Sequence, residues 1–422
     1  MKKKINLLML GTHDCKSGGH IMDVFSRLPE YYNAHVVTLY GLQGKKDYCF
    51  FDKNSLIYKI YVKAWYIILK LYLLLRFRIR FKTDETKREY CFFDNDLLSF
   101  PAKYILDKCP KGFVPDVISV HWVSNFISSK TLFDLHRMTG AKILINFVDE
   151  ALLTGGCHYP VNCDKFYSDC ADCPALKHGK KYSSIQLNHK KKYLKDLPLI
   201  VAGVPYDIRM AKQSPLFQHA TFFPSVKFPN LGHVDKVDSK RKLGLSQDRF
   251  YVLVAASSLS DVRKGLGYSI EAVCAACKEI PNISILVAGK PSDDLTSKFG
   301  QEDCRFLGFL DLADLITVMS ASDCFLSTTL ADSGPMMVNY SMIVGTPVVS
   351  FNVGVAQDLV LHKETGYIAE YRSVSDVKEG ILYLYGLSAE ERVLMSKRCL
   401  SNLMEKSSAG SVYENLPSIL NF

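Results

Sequence analysis

The chain has 422 residues, of which 48% are hydrophobic and 23% charged, a composition that excludes a mainly disordered protein. Its length is typical of two or three domains. The formal net charge of +9 is unevenly distributed: residues 1–200 contain 31 Lys and Arg against 19 Asp and Glu, so they carry +12 and the rest −3. The first half is therefore expected to face something acidic, such as a membrane surface, a nucleic acid or a phosphorylated substrate.

The beginning of the chain and its cysteines predict a reducing compartment. Residues 5–10 are apolar but too few for the hydrophobic region of a signal peptide, and we interpret them as a buried first strand. Thirteen cysteines, an odd number, are scattered along the chain, which favours free thiols over a disulfide framework. We therefore expect a cytoplasmic protein.

Short β-branched apolar runs alternate with helical periodicity, a pattern typical of parallel α/β layers. In the first half the predicted strands are 5–10, 35–40, 117–121, 143–148 and 199–204. In the second half they are 250–255, 284–288, 305–307, 324–327, 347–351 and 366–369. Four prolines interrupt residues 205–245, which we interpret as the crossover between two domains.

The segment 55–82 departs from this pattern. It is strongly apolar, but its longest uncharged stretch is far short of the roughly 20 residues that span a bilayer. Lys59, Lys63 and Lys70 fall on one helical face, and Trp65 with Leu, Ile and Tyr residues is expected opposite them. Two interpretations stay open: a helix that lies in a membrane surface, and a core helix whose lysines extend to solvent.

Gly18 and Gly19 follow the first predicted strand and open a predicted helix over 20–28. A glycine turn at that place brings backbone N–H groups and the positive helix end close to a phosphate. The same glycines could simply make a tight turn. A GxGxxG sequence is absent, so a dinucleotide site is not expected.

Two segments of the second half could bind a nucleoside diphosphate. Arg263 and Lys264 lie between a predicted strand and a helix, where two cations can neutralise a diphosphate leaving group. Asp332 ends a predicted strand and could accept hydrogen bonds from ribose hydroxyls, while the turn Ser333-Gly334-Pro335 would leave N–H groups free for phosphate at the next helix. The structural alternatives are a solvated charge pair and ordinary helix capping.

Four cysteines lie within 17 residues, at a spacing that can place four thiolates around a zinc ion. The first spacing is not CxxC, so four unrelated thiols are the alternative. Such a zinc would be structural, since four thiolates leave no open coordination position. The candidate ligands are Cys157, Cys163, Cys170 and Cys173.

Taken in order, these segments are similar to glycosyltransferase family 4, a group of nucleotide-sugar-dependent enzymes with the two-Rossmann GT-B fold. The Cys segment is similar to a branch of that family found in bacterial surface-polysaccharide clusters. The resemblance is carried by SGGH at 17–20, VHWVSNFIS at 120–128, TGGCHYPVNCDKFYSDCADCP at 154–174, RKGLGYSIEA at 263–272 and DSGPMMVNYSMIVGTPVVSFNVG at 332–354.

The resemblance implies an α/β protein with two Rossmann-like doubly wound domains facing across a cleft. It also implies a retaining hexosyltransferase that needs no metal for catalysis. A UDP- or GDP-sugar donor would lie on the C-terminal domain, with Lys264 and Arg263 at the diphosphate and Asp332 at the ribose. Gly18 and Gly19 would close over the donor. The acceptor, a lipid-linked glycan, would lie against the basic domain.

Two family motifs differ in this chain. Thr-Leu-His-Asp, common just before the Cys segment, reads NFVD at 146–149 here, so Asp149 is expected to keep a catalytic role while Val148 replaces the imidazole. The two-glutamate motif reads Asp332 and Tyr340, both expected at the donor. The chain is therefore either an active transferase of surface-polysaccharide synthesis or a catalytically degenerate homologue that acts as a binding or partner subunit.

The expected domains are an acceptor-side domain at 1–205 with a Cys-rich insertion at 154–174, a crossover at 206–245 and a nucleotide-sugar domain at 246–400. A helix within 401–422 is expected to pack back on the first domain. Because the basic-aromatic motifs of nucleic-acid-binding modules are absent, no nucleic-acid partner is expected. The expected location is the cytoplasm, with peripheral contact at the inner face of the membrane through 55–82.

Overall fold

The structure is a computed structural model that describes residues 4–14, 21–80, 88–226, 234–290, 297–299, 303–407 and 410–420. The chain forms two compact units. Unit 1 comprises Met1–Ser225 together with Gly410–Phe422, and unit 2 comprises Val226–Ala409. Each unit is built around its own parallel sheet, as the alternation of apolar runs and helical periodicity predicts.

Unit 1 contains seven parallel strands in the order β3-β2-β1-β4-β5-β6-β7. The strands are β1 Ile5–His13, β2 Tyr32–Gly41, β3 Cys49–Asp52, β4 Val117–Val120, β5 Lys142–Asn146, β6 Leu199–Gly203 and β7 Thr221–Pro224. The helices are α1 Ile21–Phe25, α2 Leu56–Phe77, α3 Ala102–Leu106, α4 Ser129–Thr139, α5 Lys181–Leu194 and α6 Pro205–Gln213, with short 3-10 turns at Arg88–Tyr90 and Lys165–Tyr167.

Unit 2 contains six parallel strands in the order β10-β9-β8-β11-β12-β13. The strands are β8 Phe250–Ser258, β9 Ile283–Lys290, β10 Cys304–Gly308, β11 Cys324–Ser327, β12 Val348–Phe351 and β13 Gly366–Ala369. The helices are α7 Lys236–Lys242, α8 Leu266–Cys277, α9 Leu312–Ala321, α10 Met336–Ile343, α11 Ala356–Leu359, α12 Val374–Tyr385 and α13 Ala389–Lys406, with 3-10 turns at Val262–Lys264 and Ser297–Phe299.

The central strands of both sheets are buried on both faces, which explains why they read as continuous apolar runs. Leu7, Leu8, Met9 and Leu10 of β1 are fully buried, and so is the Val252–Val254 stretch of β8. Both sheets follow the doubly wound strand order, in which ligands bind at the carboxyl ends of the strands where the order reverses. That point lies between β1 and β4 in unit 1 and between β8 and β11 in unit 2.

The segment 206–245, expected to be a crossover, contains regular elements of both units. Helix α6 begins with Pro205 in its first turn, where a missing N–H costs no hydrogen bond. Strand β7 ends at Pro224 on the edge of the sheet, where the lost donor is tolerated. These elements belong to unit 1, whereas α7 belongs to unit 2.

The last described helix, α14 Val412–Leu420, is part of unit 1 although α13 before it belongs to unit 2. Leu416 is fully buried in a cluster with residues of β1 and β2. The Tyr32 hydroxyl donates a hydrogen bond to the Tyr413 carbonyl at 2.6 Å. Unit 1 is therefore completed by a segment that follows unit 2 in the chain.

Helix α2 begins after its N-cap Ser55 and ends at Arg78, which adopts a left-handed conformation. Trp65, expected on the face that the lysines oppose, is half-buried against unit 1, and many of the Leu and Ile residues are exposed instead. Exposed apolar side chains therefore lie beside the lysines as well as on the opposite side of the helix. Within the described parts of the chain, no helix combines the length and apolar character needed to cross a membrane.

Candidate functional site

A tight loop after β8 carries Arg263 and Lys264 in the 3-10 turn Val262–Lys264. Asp261 caps this turn by accepting a hydrogen bond from the Arg263 amide at 3.0 Å, and its carboxylate pairs with the Arg263 guanidinium at 2.6 Å. Gly265 closes the loop with φ of 60°, and a Cβ atom there would lie 2.0 Å from the Thr328 carbonyl oxygen. Only glycine fits this approach to the neighbouring loop.

Asp332 lies on the loop after β11, the strand next to β8, and its carboxylate forms an ion pair with the Lys264 ammonium. The two loops are also joined by a hydrogen bond from the Leu330 amide to the Arg263 carbonyl, at 2.6 Å. Both side chains of the ion pair are partly exposed, at 21% for Lys264 and 12% for Asp332. The structure thus brings together two residues that the sequence places 68 positions apart.

The turn Ser333-Gly334-Pro335 leads into α10, with Pro335 at the N-cap. The Gly334 amide donates to the Asp332 carboxylate at 3.3 Å. Gly354, in the loop after β12, has φ of 56°, and a Cβ atom there would lie 2.4 Å from the Asp332 carbonyl oxygen. The loops after β11 and β12 are therefore packed so closely that their backbone positions are fixed.

Tyr371, which the sequence analysis did not single out, supports the same site. It follows β13, and its hydroxyl donates to the Leu330 carbonyl at 3.1 Å. The Arg372 guanidinium lies 5.2 Å from the Tyr371 ring centroid. A tyrosine shortly after a strand is too common a pattern for the sequence to have marked it.

The unit 2 site combines two cations, Arg263 and Lys264, their two carboxylate partners, Asp261 and Asp332, and the N-terminal ends of α8 and α10. Backbone N–H groups at a helix N-terminus and nearby cations together favour a bound phosphate or diphosphate. Lys264 can exchange its carboxylate partner for a phosphate without leaving the loop, since both are anionic acceptors. The site lies where the strand order of unit 2 reverses.

The remaining predicted donor and catalytic residues are Tyr340, Gly18, Gly19 and Asp149. Tyr340 is a partly buried residue of α10. Gly18 and Gly19 lie outside the residues that the structure describes. Asp149 follows β5 in unit 1 and lines a small cavity there with Val148.

The Asp149 carboxylate is held by two hydrogen bonds. One oxygen lies 2.7 Å from Nδ1 of His158, and the other accepts from the Ala151 amide at 2.9 Å. His158 is buried and stacks on the Phe93 ring, with centroids 3.8 Å apart. The sequence analysis placed His158 only within the Cys segment, whereas the structure shows that it orients Asp149.

Two further carboxylates that line the same cavity, Asp94 and Asp96, have partners on α5. The Lys190 ammonium, whose side chain is fully buried, lies 3.1 Å from the Asp94 carboxylate and also donates to the Ala151 and Thr154 carbonyls. His189 lies 2.7 Å from the Asp96 carboxylate. Since Lys190 and His189 share α5, this helix supplies the partners of both carboxylates in the segment that precedes α3.

A hydroxyl network connects α14 to the centre of the unit 1 sheet. The Tyr413 hydroxyl lies 2.7 Å from the Ser119 hydroxyl and 3.1 Å from Nε2 of His121. The Asn146 amide donates to Ser119 at 2.9 Å. Burial raises the pKa of the Tyr413 phenol, so it remains a neutral hydrogen-bonding group.

The four cysteines of the Cys segment line one small cavity. Cys157 and Cys173 share a hydrogen bond, which lowers the pKa of Cys173 to about 6 and raises that of Cys157. Burial raises the pKa of Cys170 to about 12. Among the residues that the structure describes, no group of three or more His, Cys, Asp or Glu side chains is arranged to hold a metal ion.

Solved structures with the same architecture cover almost the whole chain. Sucrose-phosphate synthase from Thermosynechococcus elongatus is 14% identical, with a TM-score of 0.61 over 99% of this chain and 98% of its own. A glycosyltransferase from Rickettsia africae gives the same values. Anabaena HepE in complex with UDP is 14% identical, with a TM-score of 0.60 over 99% of both chains. No curated protein has a sequence that matches the chain significantly.

Two parallel-sheet units of doubly wound order, together with these neighbours, define the two-Rossmann-like GT-B fold. The class that the fold indicates is that of the GT-B glycosyltransferases. Within that class, residues 250–386 match the family described as Glycosyl transferases group 1. The matched range lies within unit 2 and contains Arg263, Lys264, Asp332 and Tyr340.

Proposed function

We propose that the protein is a retaining glycosyltransferase that moves a hexose from a UDP- or GDP-sugar to a glycan acceptor. The observation that carries the proposal is the pair of loops holding Arg263, Lys264 and Asp332 at the carboxyl ends of β8 and β11. These loops lie within the group 1 domain. The neighbour HepE binds UDP and UDP-glucose, which supports a uridine nucleotide as the first donor to test.

The proposed mechanism places positive charge where the leaving group develops negative charge. As the bond between the anomeric carbon and the diphosphate oxygen breaks, Lys264 and Arg263 stabilise the nucleoside diphosphate more strongly than the intact donor. Lys264 would exchange Asp332 for phosphate, and Asp332 would then accept hydrogen bonds from the ribose. Ser333 and Gly334 would contribute the turn at the start of α10, and Tyr340 would contact the donor.

Asp149 is the proposed catalytic carboxylate of unit 1. Its contacts with His158 and the Ala151 amide fix the carboxylate at the edge of a cavity that is also lined by Val148. A carboxylate held in one orientation can accept a hydrogen bond from a sugar hydroxyl without the loss of rotational freedom that a mobile side chain pays.

The proposed acceptor is a lipid-linked glycan of a surface-polysaccharide or capsule pathway, reached at the inner face of the membrane. The charge of +12 in residues 1–200 supports an acidic partner, such as a lipid diphosphate or an anionic membrane surface.

Calorimetry with UDP and GDP tests donor binding. Wild-type protein should bind at least one of the two at millimolar concentration or below, and Asp332→Ala should weaken binding because ribose contacts exist in the ground state. Lys242→Ala, which removes an exposed lysine of α7, is the control and should bind like wild type. Binding of neither nucleotide by wild-type protein would contradict the proposal.

A degenerate homologue that binds without turnover is the second candidate. It is favoured by Val148 and Tyr340, which lack the imidazole and the carboxylate of the related motifs. A panel of UDP- and GDP-sugars with isolated membrane lipids as acceptor separates the two. Sugar transfer to lipid supports the enzyme, and nucleotide binding without transfer or donor hydrolysis supports the binding subunit.

We also propose that Cys157, Cys163, Cys170 and Cys173 hold a structural zinc ion. Their shared cavity supports this, although binding would draw the thiols closer together than they lie here. Metal analysis should find about one zinc per chain. Cys170→Ser with Cys173→Ser should lose the metal and lower the melting temperature, whereas the control pair Cys274→Ser with Cys277→Ser should retain it. Wild-type protein that contains no zinc, and whose melting temperature does not change when zinc is added, would refute this proposal.

A further inference from the structure

Helix α2 is attached to unit 1 by a narrow stripe of side chains. Tyr58, Tyr61, Trp65, Leu69 and Leu73 recur at intervals of three and four, so they share one face. Leu69 and Leu73 are buried, and the Tyr58 and Tyr61 rings pack on unit 1, with centroids 4.9 Å from Tyr40 and 4.7 Å from Phe51 respectively. This face alone is enough to fix the helix.

The outward face of α2 is also apolar. Leu56, Ile60, Ile67, Leu71 and Leu74 follow one another at intervals of four, seven, four and three, opposite the attached stripe. Leu56 is 72% exposed and Leu75, beside this row, is 81% exposed. We call the exposed apolar residues the outer face; its members are Leu56, Ile57, Ile60, Ile67, Ile68, Leu71, Leu74 and Leu75. A row of exposed apolar side chains of this length on a folded unit marks a contact site.

Cations follow one edge of the outer face. Lys59, Lys63 and Lys70 are exposed and lie within about 40° of each other around the helix axis, at 100° per residue. The chain continues with Arg78 and Arg80, which are exposed on either side of the buried Ile79. Residues 53–82 contain eight Lys and Arg and no Asp or Glu.

We propose that the outer face lies in the surface of an anionic lipid bilayer, with its Leu and Ile side chains among the acyl chains and its lysines at the headgroups. A helix of 22 residues is about 33 Å long, and it would lie parallel to the bilayer plane. Apolar contact supplies the binding, and lysines that extend along the helix to lipid phosphates add to it.

Charge distinguishes this partner from a second copy of the chain. Two outer faces packed together would bring two rows of cations close with no acid on either helix to balance them. Anionic lipid headgroups neutralise this positive charge at the depth in the bilayer where the lysine ammonium groups lie. The inference does not rest on the proposed transferase function, because lipid binding is measured without donor or acceptor.

Flotation of the full chain with lipid vesicles tests the proposal. Wild-type protein should float with vesicles of phosphatidylcholine and phosphatidylglycerol, and more weakly with phosphatidylcholine alone. Lys59→Gln with Lys63→Gln and Lys70→Gln should lower partition onto the anionic vesicles by a factor on the order of 10². The charge control, Lys397→Gln with Arg398→Gln and Lys406→Gln on α13, should leave it unchanged.

The apolar contribution has its own variant. Ile60→Gln with Ile67→Gln and Leu71→Gln should lower partition by a factor on the order of 10³ or more, since three large apolar contacts are lost. The matched control replaces exposed apolar residues of α13, Val393→Gln with Leu394→Gln and Leu400→Gln. Both sets are exposed, so their melting temperatures should remain close to that of wild type.

Two outcomes would overturn the proposal. One is wild-type protein that floats with neither vesicle. The other is a wild-type dimer in sedimentation equilibrium that the Ile60, Ile67 and Leu71 variant abolishes, which would assign the outer face to a second copy. If the apolar variant fails to fold, the lysine variant and wild-type flotation at raised salt still test the proposal. Binding to an anionic surface must weaken when the lysines are removed and when salt is added, because both reduce the attraction between opposite charges.

Discussion

Two lysines, Lys190 of unit 1 and Lys264 of unit 2, use their charge in opposite ways. In unit 1, Lys190 is fully buried and shared among the Asp94 carboxylate and two carbonyl oxygens, so its charge is neutralised inside the protein. In unit 2, the Lys264 and Asp332 pair is partly exposed on two loops. The first arrangement fixes a structure, since a buried ion that loses its partner is costly. The second leaves a cation that a ligand can reach.

The most severe test of this comparison is Lys190→Ala. It leaves the Asp94 carboxylate and the Thr154 carbonyl without their buried partner, and we expect a loss of about 3–5 kcal/mol in the free energy of unfolding. Urea denaturation measures it. Lys192→Ala on the exposed side of the same helix is the control and should stay within about 0.5 kcal/mol of wild type. Equal effects of the two variants would contradict the structural role of Lys190.

Lys264→Ala should show the reverse behaviour. Turnover is expected to fall by a factor on the order of 10²–10³, as for loss of one preorganised donor to the leaving group. Nucleotide affinity should fall as well, because the diphosphate is charged in the ground state. The free energy of unfolding should change by less than about 1 kcal/mol, since a partly exposed pair contributes little. A large loss of stability with unchanged nucleotide affinity would mean that Lys264, like Lys190, has a structural role.

Gly265→Ala probes whether the donor loops depend on their close approach. The new methyl group would meet the Thr328 carbonyl in a left-handed conformation, so we expect about 1–3 kcal/mol of destabilisation and weaker nucleotide binding. Gly267→Ala is the matched control two residues later, where a Cβ meets nothing within 4 Å. Inside helix α8 it should stabilise the protein by about 0.5–1 kcal/mol. Thermal and urea unfolding of both variants measure the difference.

The smallest expected effect belongs to Tyr413→Phe. It removes one hydroxyl from the buried network of Ser119 and His121, which should cost about 0.5–1.5 kcal/mol. Tyr383→Phe, whose hydroxyl bond to the Lys363 carbonyl is exposed, should cost less in the same unfolding measurement. A larger effect of Tyr383→Phe would mean that the network does not help to hold α14 in unit 1.

The sequence predicts the sheets well because parallel strands buried on both faces form apolar runs, such as 250–255 within β8. Short edge strands such as β3 and β7 were not predicted, since they lack that pattern. Arg263, Lys264 and Asp332 are each predicted to contact the donor, and that role stays a prediction. Their mutual pairing could not be predicted, because it depends on β8 and β11 being neighbours.

The unit 1 pairs are beyond sequence reasoning for a different reason. Asp94 and Lys190 are 96 residues apart, and no periodicity connects them. The sequence also could not show which face of α2 packs on the rest of unit 1. Apolar residues occur on both sides of the helix, and only tertiary packing selects Tyr58, Tyr61 and Trp65. The resemblance predicts a role for Asp149 but gives no sign that His158 holds its carboxylate.

The placement of α14 has a consequence for the order in which the protein is made. Residues 1–225 leave the ribosome before unit 2, yet the cluster around Leu416 and the Tyr413 network lie in a segment that is synthesised after unit 2. All of unit 2 emerges between them. Since domains generally fold as units during synthesis, the unit that begins first is the one completed last. Until then, the β1 and β2 residues that α14 covers remain available to chaperones and to other nascent chains.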